Sequence, residues 1–373
     1  MKKKPIVSTY YFPNWHVDPR SEKIHGTGWT EWRVLQYATP RFPGHDQPKL
    51  PLWGYEDESN PRVMEKKIRC ACEYGIDNFI FDFYFFEDGP FRERCLNNGF
   101  LPASNCTDIT FALMWANHDH VYAHPGSYWK PAEPAWLGTV TPETFRNCTD
   151  YCLEHYLSRP NYLRVHDGLY FGIYRPQAMV QEMGKETFTA LLKEFRSKVE
   201  KAGLGKLWID FTCGGLAPWD RMNEISSLAV ELGADSCSNY GWGHHDTFPA
   251  MDYNTWAKRN LETQKQFSRE LALPYNPVVL SGWDSSPRTV QSDIYEPVRY
   301  PFSSVAVNNT PGNFKTAFCD LLEFQATHGS GDLIHISCWN EWTEGAYLEP
   351  DSRYGFGMLE AVRDGKKEIL GSL

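Results

Sequence analysis

The chain has 373 residues, which is long enough for two ordinary domains or for one large α/β barrel. Aromatic residues make up 15% of it, with 14 Trp and 20 Tyr, and such an excess is typical of carbohydrate-handling surfaces as well as of aromatic-rich cores. The formal net charge of -10 argues against nucleic acid or an anionic membrane as the main partner, because both favour clustered Lys and Arg.

The N-terminus and the cysteines bear on the cellular compartment. The apolar segment after the basic start, Lys2 to Lys4, is too short and too polar for a secretory leader, and no stretch approaches a membrane span. The 10 Cys are spread over a long chain, and several fall in helix-like segments, which is typical of reduced thiols. We therefore expect a cytoplasmic protein, or a periplasmic or secreted one if a leader has been removed. The sequence does not predict the oligomeric state.

Eight short apolar runs predict the strands of the fold. Several of them are continuous rather than alternating, as in strands that are buried on both faces. Each run ends in aromatic, polar or glycine residues. In chain order the runs are Ile6 to Tyr11, Asn78 to Tyr84, Thr110 to Trp115, Gly168 to Tyr174, Lys206 to Thr212, Ala234 to Tyr240, Asn276 to Gly282 and Asp332 to Cys338.

Segments with the features of helices lie between these runs. Asn60-Pro61 supplies a cap and a first-turn proline, and Thr141-Pro142 does the same for a second helix. Apolar residues recur at helical spacing in Phe188 to Val199 and in Phe314 to Leu322. This alternation predicts an α/β fold, a single (β/α)8 TIM barrel over residues 1–373 with long loops over the C-terminal face of the strands. An open doubly wound sheet is the alternative, but no G-x-G-x-x-G or phosphate-binding loop follows a strand.

The C-terminal strand ends of such a barrel carry its catalytic and binding groups. Here they are rich in side chains that bind hydroxyl groups and in rings that stack on sugars. The candidate substrate-binding residues are Tyr10, Tyr11, Trp15, Trp29, Glu31, Asp82, Tyr84, Trp115, Asn117, His118, Tyr174, Arg175, Tyr240, Trp242, Trp283, Asp284, Trp339, Asn340 and Trp342. For Glu31, two roles stay open: contact with substrate, or bracing of the catalytic motif against Trp32.

Two carboxylates follow the last predicted strand closely. Glu341 and Glu344 lie three residues apart among tryptophans, directly after the apolar run Leu333 to Ser337. Hydrolysis of a glycosidic bond needs one group to protonate the leaving oxygen and a second to supply or unmask a nucleophile. We therefore predict that this pair is catalytic. The alternative is that both side chains lie on a solvated turn.

Other chemistries are less well supported. His118-Asp119-His120 and His244-His245-Asp246 offer metal ligands, but neither has a strong zinc spacing. No G-x-S-x-G motif is present, and we expect Cys338 to point into the barrel wall rather than to act as a nucleophile.

Five motifs in fixed order carry a family resemblance over almost the whole chain. They are Gly28 to Trp32, Phe42 to Pro48, Trp115 to Asn117, Gly282 to Asp284 and Trp339 to Asp351. Together they resemble the WbsX-like proteins, which are related to glycoside hydrolase family 99, the retaining endo-α-mannosidases.

The resemblance implies a barrel with no metal or organic cofactor. In family 99 the motif N-E-W-x-E-G supplies both catalytic acids, and Asn340 to Gly345 match it here. It implies that Glu341 is the base for the sugar 2-hydroxyl and that Glu344 is the general acid, with a 1,2-anhydro sugar intermediate and retention. Glu344 would then need apolar burial and a nearby like charge to stay protonated, and Glu341 would need hydrogen-bond donors to stay ionised.

We therefore expect a glycoside hydrolase that acts on an oligosaccharide or polysaccharide, at an α-linkage such as a mannoside. One alternative is a WbsX-type glycosyltransferase of surface polysaccharide assembly, although no D-x-D followed by basic residues marks a nucleotide-sugar site. The other is a sugar-binding barrel without catalysis. The sugar, the linkage and the choice between internal and terminal cleavage are not predicted.

Overall fold

Parallel strands form a closed barrel in this computed structural model, which describes residues 4–121, 124–213, 218–243, 245 and 247–371. Each strand pairs with its neighbours in chain order, and the first also pairs with the last. The predicted TIM barrel is therefore confirmed. Its strands are β1 Ile6–Tyr11, β2 Asn78–Phe86, β3 Thr110–Trp115, β4 Gly168–Ile173, β5 Lys206–Cys213, β6 Ser236–Asn239, β7 in the two pieces Tyr275–Asn276 and Val278–Leu280, and β8 Leu333–Ser337.

The seventh strand closes the barrel in spite of a break at Pro277. Its first piece pairs with β6 and its second piece with β8. Proline has no N–H to donate to a neighbouring strand. Its carbonyl oxygen still accepts a hydrogen bond of 2.8 Å from the backbone N–H of His335. The run predicted as one strand from Asn276 to Gly282 thus begins one residue earlier and is divided.

Helices connect the strands on the outside of the barrel. Asn60 and Thr141 cap the helices Pro61–Glu73 and Pro142–Cys152 as predicted, because their side chains accept from the backbone N–H groups of Arg62 and Thr144. Between β2 and β3 the connection instead contains a π-helical segment, Cys95–Phe100. The α-helices are α1 Pro19–His25, α2 Trp32–Gln36, α3 Pro61–Glu73, α4 Pro142–Cys152, α5 Pro176–Met183, α6 Lys185–Lys201, α7 Trp219–Leu232, α8 Tyr253–Glu270, α9 Pro311–Thr327 and α10 Gly357–Leu370.

Short strand pairs and turns build the C-terminal face of the barrel. Gly89–Phe91 folds back onto the end of β2, and Asn340–Glu341 pairs with Ala346–Tyr347 just after β8. The 3-10 turns Ser286–Arg288 and Trp342–Glu344 follow β7 and β8. The further short strands are His120–Val121, Pro134–Trp136, Arg164–Val165, Ala250–Asp252 and Val305–Val307. In the part of the chain that the structure describes, no helix combines the length and apolar character that a membrane span requires.

Candidate active site

A cavity of about 560 Å³ opens at the C-terminal ends of the strands. Its size lies within the range of about 300 to 1,000 Å³ that is typical of small-molecule sites. Both predicted catalytic residues lie in its wall. The predicted residues that line it are Asp82, Tyr84, His118, Tyr174, Arg175, Tyr240, Trp242, Trp283, Glu341 and Glu344.

The turn after β8 brings the two glutamates to the same cavity. The backbone N–H of Gly345 donates to the carbonyl of Trp342 at 3.2 Å and closes the turn. Gly345 has a φ of +64°, and a Cβ there would lie 2.7 Å from the Cβ of Asp284. Only glycine fits both the left-handed conformation and this close approach. The motif therefore needs its glycine to set Glu341 and Glu344 side by side.

Arg288 connects the two glutamates to a third carboxylate. Its Nη2 donates to Glu341 Oε1 and its Nη1 to Glu344 Oε1, each at 2.5 Å. Its Nη2 also donates to Glu31 Oε1 at 2.9 Å. The oxygens of Glu341 and Glu344 thus lie on neighbouring nitrogens of one planar guanidinium, only a few ångströms apart. The loops after β1, β7 and β8 supply these four side chains.

The two glutamates differ in burial and in hydrogen-bond donors. Glu341 is only 3% exposed, and burial raises its pKa well above the usual value. The negative charge of Glu344 raises this pKa as well, whereas the positive charge of Arg288 lowers it. The side chain of Glu344 is 12% exposed and accepts a hydrogen bond of 2.6 Å from the hydroxyl of Tyr300. The hydroxyl of Thr343 donates to Glu341 at 3.4 Å. The expected difference is therefore not found: Glu341 is the deeper carboxyl, and each glutamate accepts from one neutral hydroxyl.

Glu31 braces the motif and does not line the cavity. It is fully buried and accepts hydrogen bonds of 2.5 Å from both Asn14 Nδ2 and the hydroxyl of Thr343, in addition to those from Arg288. Burial opposes its ionisation, but Arg288 and His124 hold its pKa below the usual value. Of its two predicted roles, the structure favours bracing, through Thr343 and Arg288 rather than against Trp32.

Asp82 and Tyr240 form a second polar group in the cavity wall. The hydroxyl of Tyr240 donates to Asp82 Oδ2 at 2.9 Å, and Asp82 Oδ1 has no hydrogen-bond partner among the described residues. Burial raises the pKa of Asp82. The thiol of Cys338 donates to Tyr240 at 3.2 Å and is fully buried, and burial raises its pKa as well. These surroundings do not suit Cys338 as a nucleophile.

Several predicted sugar-stacking rings lie in the protein interior instead. Trp339 and Trp342 are completely buried, and both indoles donate to the carboxylate of Glu349, at 2.9 and 2.7 Å. A ring without an exposed face cannot stack on a sugar. The same correction applies to the other rings that do not line the cavity. These are Tyr10, Tyr11, Trp15, Trp115 and Trp29.

Three predicted polar residues also do not line the cavity, and they bind other parts of the protein instead. Asn340 exchanges two hydrogen bonds with the backbone of Phe12, at 2.8 and 2.9 Å. Asn117 does the same with the backbone of Arg175. Asp284 accepts from His45 at 2.8 Å and from Gln47 at 2.6 Å. These side chains fix the loops that carry the site.

The sequence interpretation did not select several cavity residues. Arg288 lies near a strand end without a motif that distinguishes it from other polar residues there, and Arg92 lies in a long loop where no periodicity marks it. Among the residues that the structure describes, no group of three or more His, Cys, Asp or Glu side chains is arranged to hold a metal ion. Of the second predicted ligand set, His244 and Asp246 lie outside the described residues. Further unselected lining residues are Phe12, His120, His124 and Tyr300.

Comparison with known sequences identifies a family. The model of the family described as "Glycosyltransferase WbsX" matches residues 7–362. Proteins named "Uncharacterized protein WxcX" from two strains of Xanthomonas campestris pv. campestris are 25% identical over 366 residues, which cover 95% of this chain and 48% of theirs. The chain therefore spans about half the length of the curated relatives it matches.

Solved structures share the barrel over its whole length. The GH99 endo-α-mannosidase from Bacteroides thetaiotaomicron has a TM-score of 0.59 at 14% identity, with 98% of each chain covered. A "Glycoside hydrolase-like protein" has a TM-score of 0.61 at 14% identity, covering 97% of this chain and 94% of its own. At this level of identity the likeness concerns the fold. The chain belongs to the WbsX family, and its barrel is similar in fold to that of the GH99 enzyme.

Proposed function

We propose that the protein is a glycoside hydrolase that acts on an oligosaccharide or polysaccharide, with Glu341 and Glu344 as its catalytic pair. One observation carries this proposal: both carboxylates line a single cavity of about 560 Å³ and bind neighbouring nitrogens of Arg288. The same wall offers rings such as Tyr174 and Trp283. Two acids beside aromatic rings suit the cleavage of a glycosidic bond.

The ion pairs with Arg288 leave both glutamates available to a substrate. Arg288 binds Oε1 of Glu341 and Oε1 of Glu344. Tyr300 also binds Oε1 of Glu344. Within the described part of the chain, Oε2 of neither glutamate accepts a hydrogen bond or is enclosed without one. We therefore assign the Oε2 atoms to proton transfer and the Oε1 atoms to positioning.

The proposed mechanism uses the sugar 2-hydroxyl at an α-linkage, as in a mannoside. Glu341 removes the 2-hydroxyl proton, O2 attacks the anomeric carbon, and the leaving oxygen takes a proton from Glu344. Water then opens the 1,2-anhydro sugar, giving its proton to Glu344, while O2 regains one from Glu341, and the anomeric configuration is retained. Burial raises the pKa of Glu341, so Glu341 acts as the base only at a pH where it is ionised, and its carboxylate is then a stronger proton acceptor than an ordinary one.

A substrate panel tests the proposal. Purified protein is given synthetic α- and β-glycosides, and the anomeric product is followed by NMR. Glu341→Gln and Glu344→Gln should each lower turnover on the order of 100-fold or more. Glu360→Gln, at an exposed site on α10, is the control and should leave turnover unchanged. Hydrolysis that neither active-site substitution impairs would contradict the proposal.

Leaving-group dependence separates the two roles. An aryl glycoside with a strongly acidic phenol needs little help from a general acid. Glu344→Gln should therefore recover most of its bond-cleavage rate on this substrate, whereas Glu341→Gln should not. Recovery in Glu341→Gln alone would reverse the assignment, in agreement with the deeper burial of Glu341.

A glycosyltransferase that uses the same cavity is the second candidate, and the description of the matching family favours it. Such an enzyme should be stabilised against heat by a nucleotide sugar. Turnover of a free glycan without any such stabilisation would favour the hydrolase. Binding of a glycan without turnover of either kind would instead indicate a sugar-binding barrel.

A further inference from the structure

We infer that the cavity contains a subsite for a carboxylate group of the glycan, centred on Arg92, so that the substrate is an acidic polysaccharide or oligosaccharide containing a uronic acid. This inference rests on the proposed function, whose substrate class it names. Burial, ring contacts, backbone conformation and position relative to the catalytic pair all support it.

Arg92 is a buried cation that has no acidic partner among the residues that the structure describes. It is 4% exposed and lines the cavity. Its Nε is enclosed with no hydrogen-bond partner, and within the described ranges its guanidinium forms no ion pair. The carboxylate of Asp18 accepts from the backbone N–H of Arg92 at 3.2 Å rather than from its guanidinium. Asp82 and Glu31 act on Arg92 only through their charge, without an ion pair in the described ranges. Because a buried charge is costly unless it is paired, the guanidinium indicates a ligand that brings the missing anion.

Three aromatic rings hold the guanidinium in place. Its Cζ lies 4.9 Å from the ring centroid of Phe12, 4.8 Å from that of Tyr84 and 4.7 Å from that of Phe91. These contacts orient the planar group and keep water from its faces, while its edge remains free to donate. A guanidinium oriented in advance, with free N–H groups at its edge, suits a carboxylate that accepts two parallel hydrogen bonds.

The backbone at Arg92 is held in an unfavourable conformation. Its φ is +60°, which is uncommon for a residue other than glycine. The carboxylate of Asp18 accepts its N–H, and the ring of His16 donates to its carbonyl oxygen at 3.4 Å. Such strain persists where the surroundings enforce it, and it occurs preferentially at ligand sites. Here it turns a cationic side chain towards a cavity.

The subsite lies next to the catalytic pair. The ring of Phe12 contacts Arg92 at 4.9 Å and Arg288 at 5.5 Å, and Arg288 binds both catalytic glutamates. One sugar, or the next one along the chain, can therefore reach both positions. Burial lowers the pKa of His118, which lies within electrostatic range of Arg92, so this ring is neutral near pH 7. Arg175, exposed at the same wall, supplies a second positive charge.

Binding, rather than turnover, tests the inference. The folded Glu341→Gln protein is titrated with the methyl α-glycosides of a hexuronic acid, of the matching neutral hexose and of its 6-phosphate, by calorimetry or NMR. The uronate should bind at least about tenfold more tightly than the neutral sugar, as expected for hydrogen bonds to a charged group. Equal binding of the uronate and the neutral sugar would overturn the inference. Tighter binding of the 6-phosphate would overturn the assignment to a carboxylate.

Two arginine variants locate the subsite. Arg92→Gln should abolish the preference for the uronate, and Arg92→Lys, which keeps the charge, should retain part of it. Arg363→Gln is the matched control, because Arg363 also lies over an aromatic ring, that of Tyr74 at 5.3 Å, but already pairs with Asp364 at 2.8 Å and does not line the cavity; it should leave the preference intact. A preference that survives in Arg92→Gln overturns the inference.

The two proposals fail separately. If uronates bind through Arg92 but Glu341 and Glu344 prove dispensable for turnover, only the hydrolase proposal is lost. If the hydrolase acts through that pair on neutral glycans without any preference for uronates, only the subsite is lost. Should Arg92→Gln not fold, the uronate preference of the parent protein and of Arg92→Lys still decides the question.

Discussion

Arg288 determines the electrostatics of the candidate site. It lies on the turn after β7 and is surrounded by the carboxylates of Glu31, Glu341 and Glu344. One positive charge cannot balance three buried negative charges, so burial and mutual repulsion favour a proton on one of the carboxyls. Glu31 stays ionised because Asn14 and Thr343 also donate to it, and the pKa of Glu341 is the one that is raised. Arg288 thus sets the pH range in which Glu341 can act as the proposed base.

Replacing Arg288 with methionine should shift the pH dependence of turnover. Arg288 lowers the pKa of Glu341, although burial raises it overall, so loss of the cation should raise that pKa further. The acidic limb of the kcat/KM profile should therefore move to higher pH by about one unit or more, and turnover at pH 7 should fall on the order of 100-fold. Arg288→Lys should reverse part of the shift of the acidic limb and recover part of the lost turnover. An unshifted limb in a folded Arg288→Met protein would contradict this role.

At the scale of structural elements, a buried ionic network fixes the turn after β8 to the barrel. Lys67 on α3 pairs with Glu58 and, at 2.5 Å, with Glu349. Glu349 in turn accepts the indole N–H groups of Trp339 and Trp342. Although burial opposes its charge, the two glutamates raise the pKa of Lys67. The network therefore holds the segment that carries the proposed catalytic pair.

Removal of the lysine should destabilise the fold. Lys67→Met leaves two carboxylates buried without a cation, and breaking a buried ion pair in this way costs about 3–5 kcal/mol. Urea denaturation at pH 7.5 should show a decrease of that size in the free energy of unfolding. Lys185→Met is the control, since Lys185 and its partner Glu231 are both about half exposed, and it should have little effect. A decrease no larger than that of the control would show that the network is dispensable.

The tryptophans of this element show where sequence interpretation reaches its limit. A tryptophan beside two glutamates has the same local pattern whether its ring faces a cavity or the core. The direction of each ring depends on a hydrogen-bond partner elsewhere in the sequence. This partner is Glu349, which lies 10 residues from Trp339 and 7 from Trp342. Its two hydrogen bonds draw both indoles inwards. The predicted platforms were therefore wrong for these rings, while Tyr174 and Trp283 do line the cavity.

At the scale of the whole molecule, the barrel was predictable because its strands are local patterns. β1 and β3 have the bounds that the apolar runs predicted, Ile6–Tyr11 and Thr110–Trp115. A strand buried on both faces must be apolar along its length, and such a run is visible in the sequence alone. The position of Arg92 was not predictable in this way. It depends on the fold-back of Gly89–Phe91 onto β2 and on contacts with rings from separate loops.

The barrel interior also contains a polar cluster with consequences for global stability. Asp210 on β5 is fully buried and accepts hydrogen bonds from the hydroxyls of Ser238 at 2.6 Å and Ser236 at 3.0 Å, both on β6. Burial raises the pKa of Asp210, although these donors oppose the change. The native state therefore binds a proton more tightly at this carboxyl than the unfolded chain does.

This difference predicts how the stability of the molecule depends on pH. The pKa of Asp210 is higher in the folded protein than in the unfolded chain. The contribution of Asp210 to the stability of the fold is therefore fully present below the unfolded pKa of about 3.9, and it is lost as pH rises through the folded pKa. The free energy of unfolding of the parent protein, relative to that of Asp210→Asn, should thus decrease as pH rises above about 4, by about 1.4 kcal/mol for each pH unit that separates the folded pKa from the unfolded one. Urea denaturation at several pH values measures this difference.

Asp364→Asn is the control. Arg363 lowers the pKa of the exposed Asp364 carboxyl, so the smaller contribution of Asp364 to stability should increase, rather than decrease, as pH rises. A parent protein that gains stability relative to Asp210→Asn as pH rises above about 4 would show that the serine hydroxyls outweigh burial and keep Asp210 ionised.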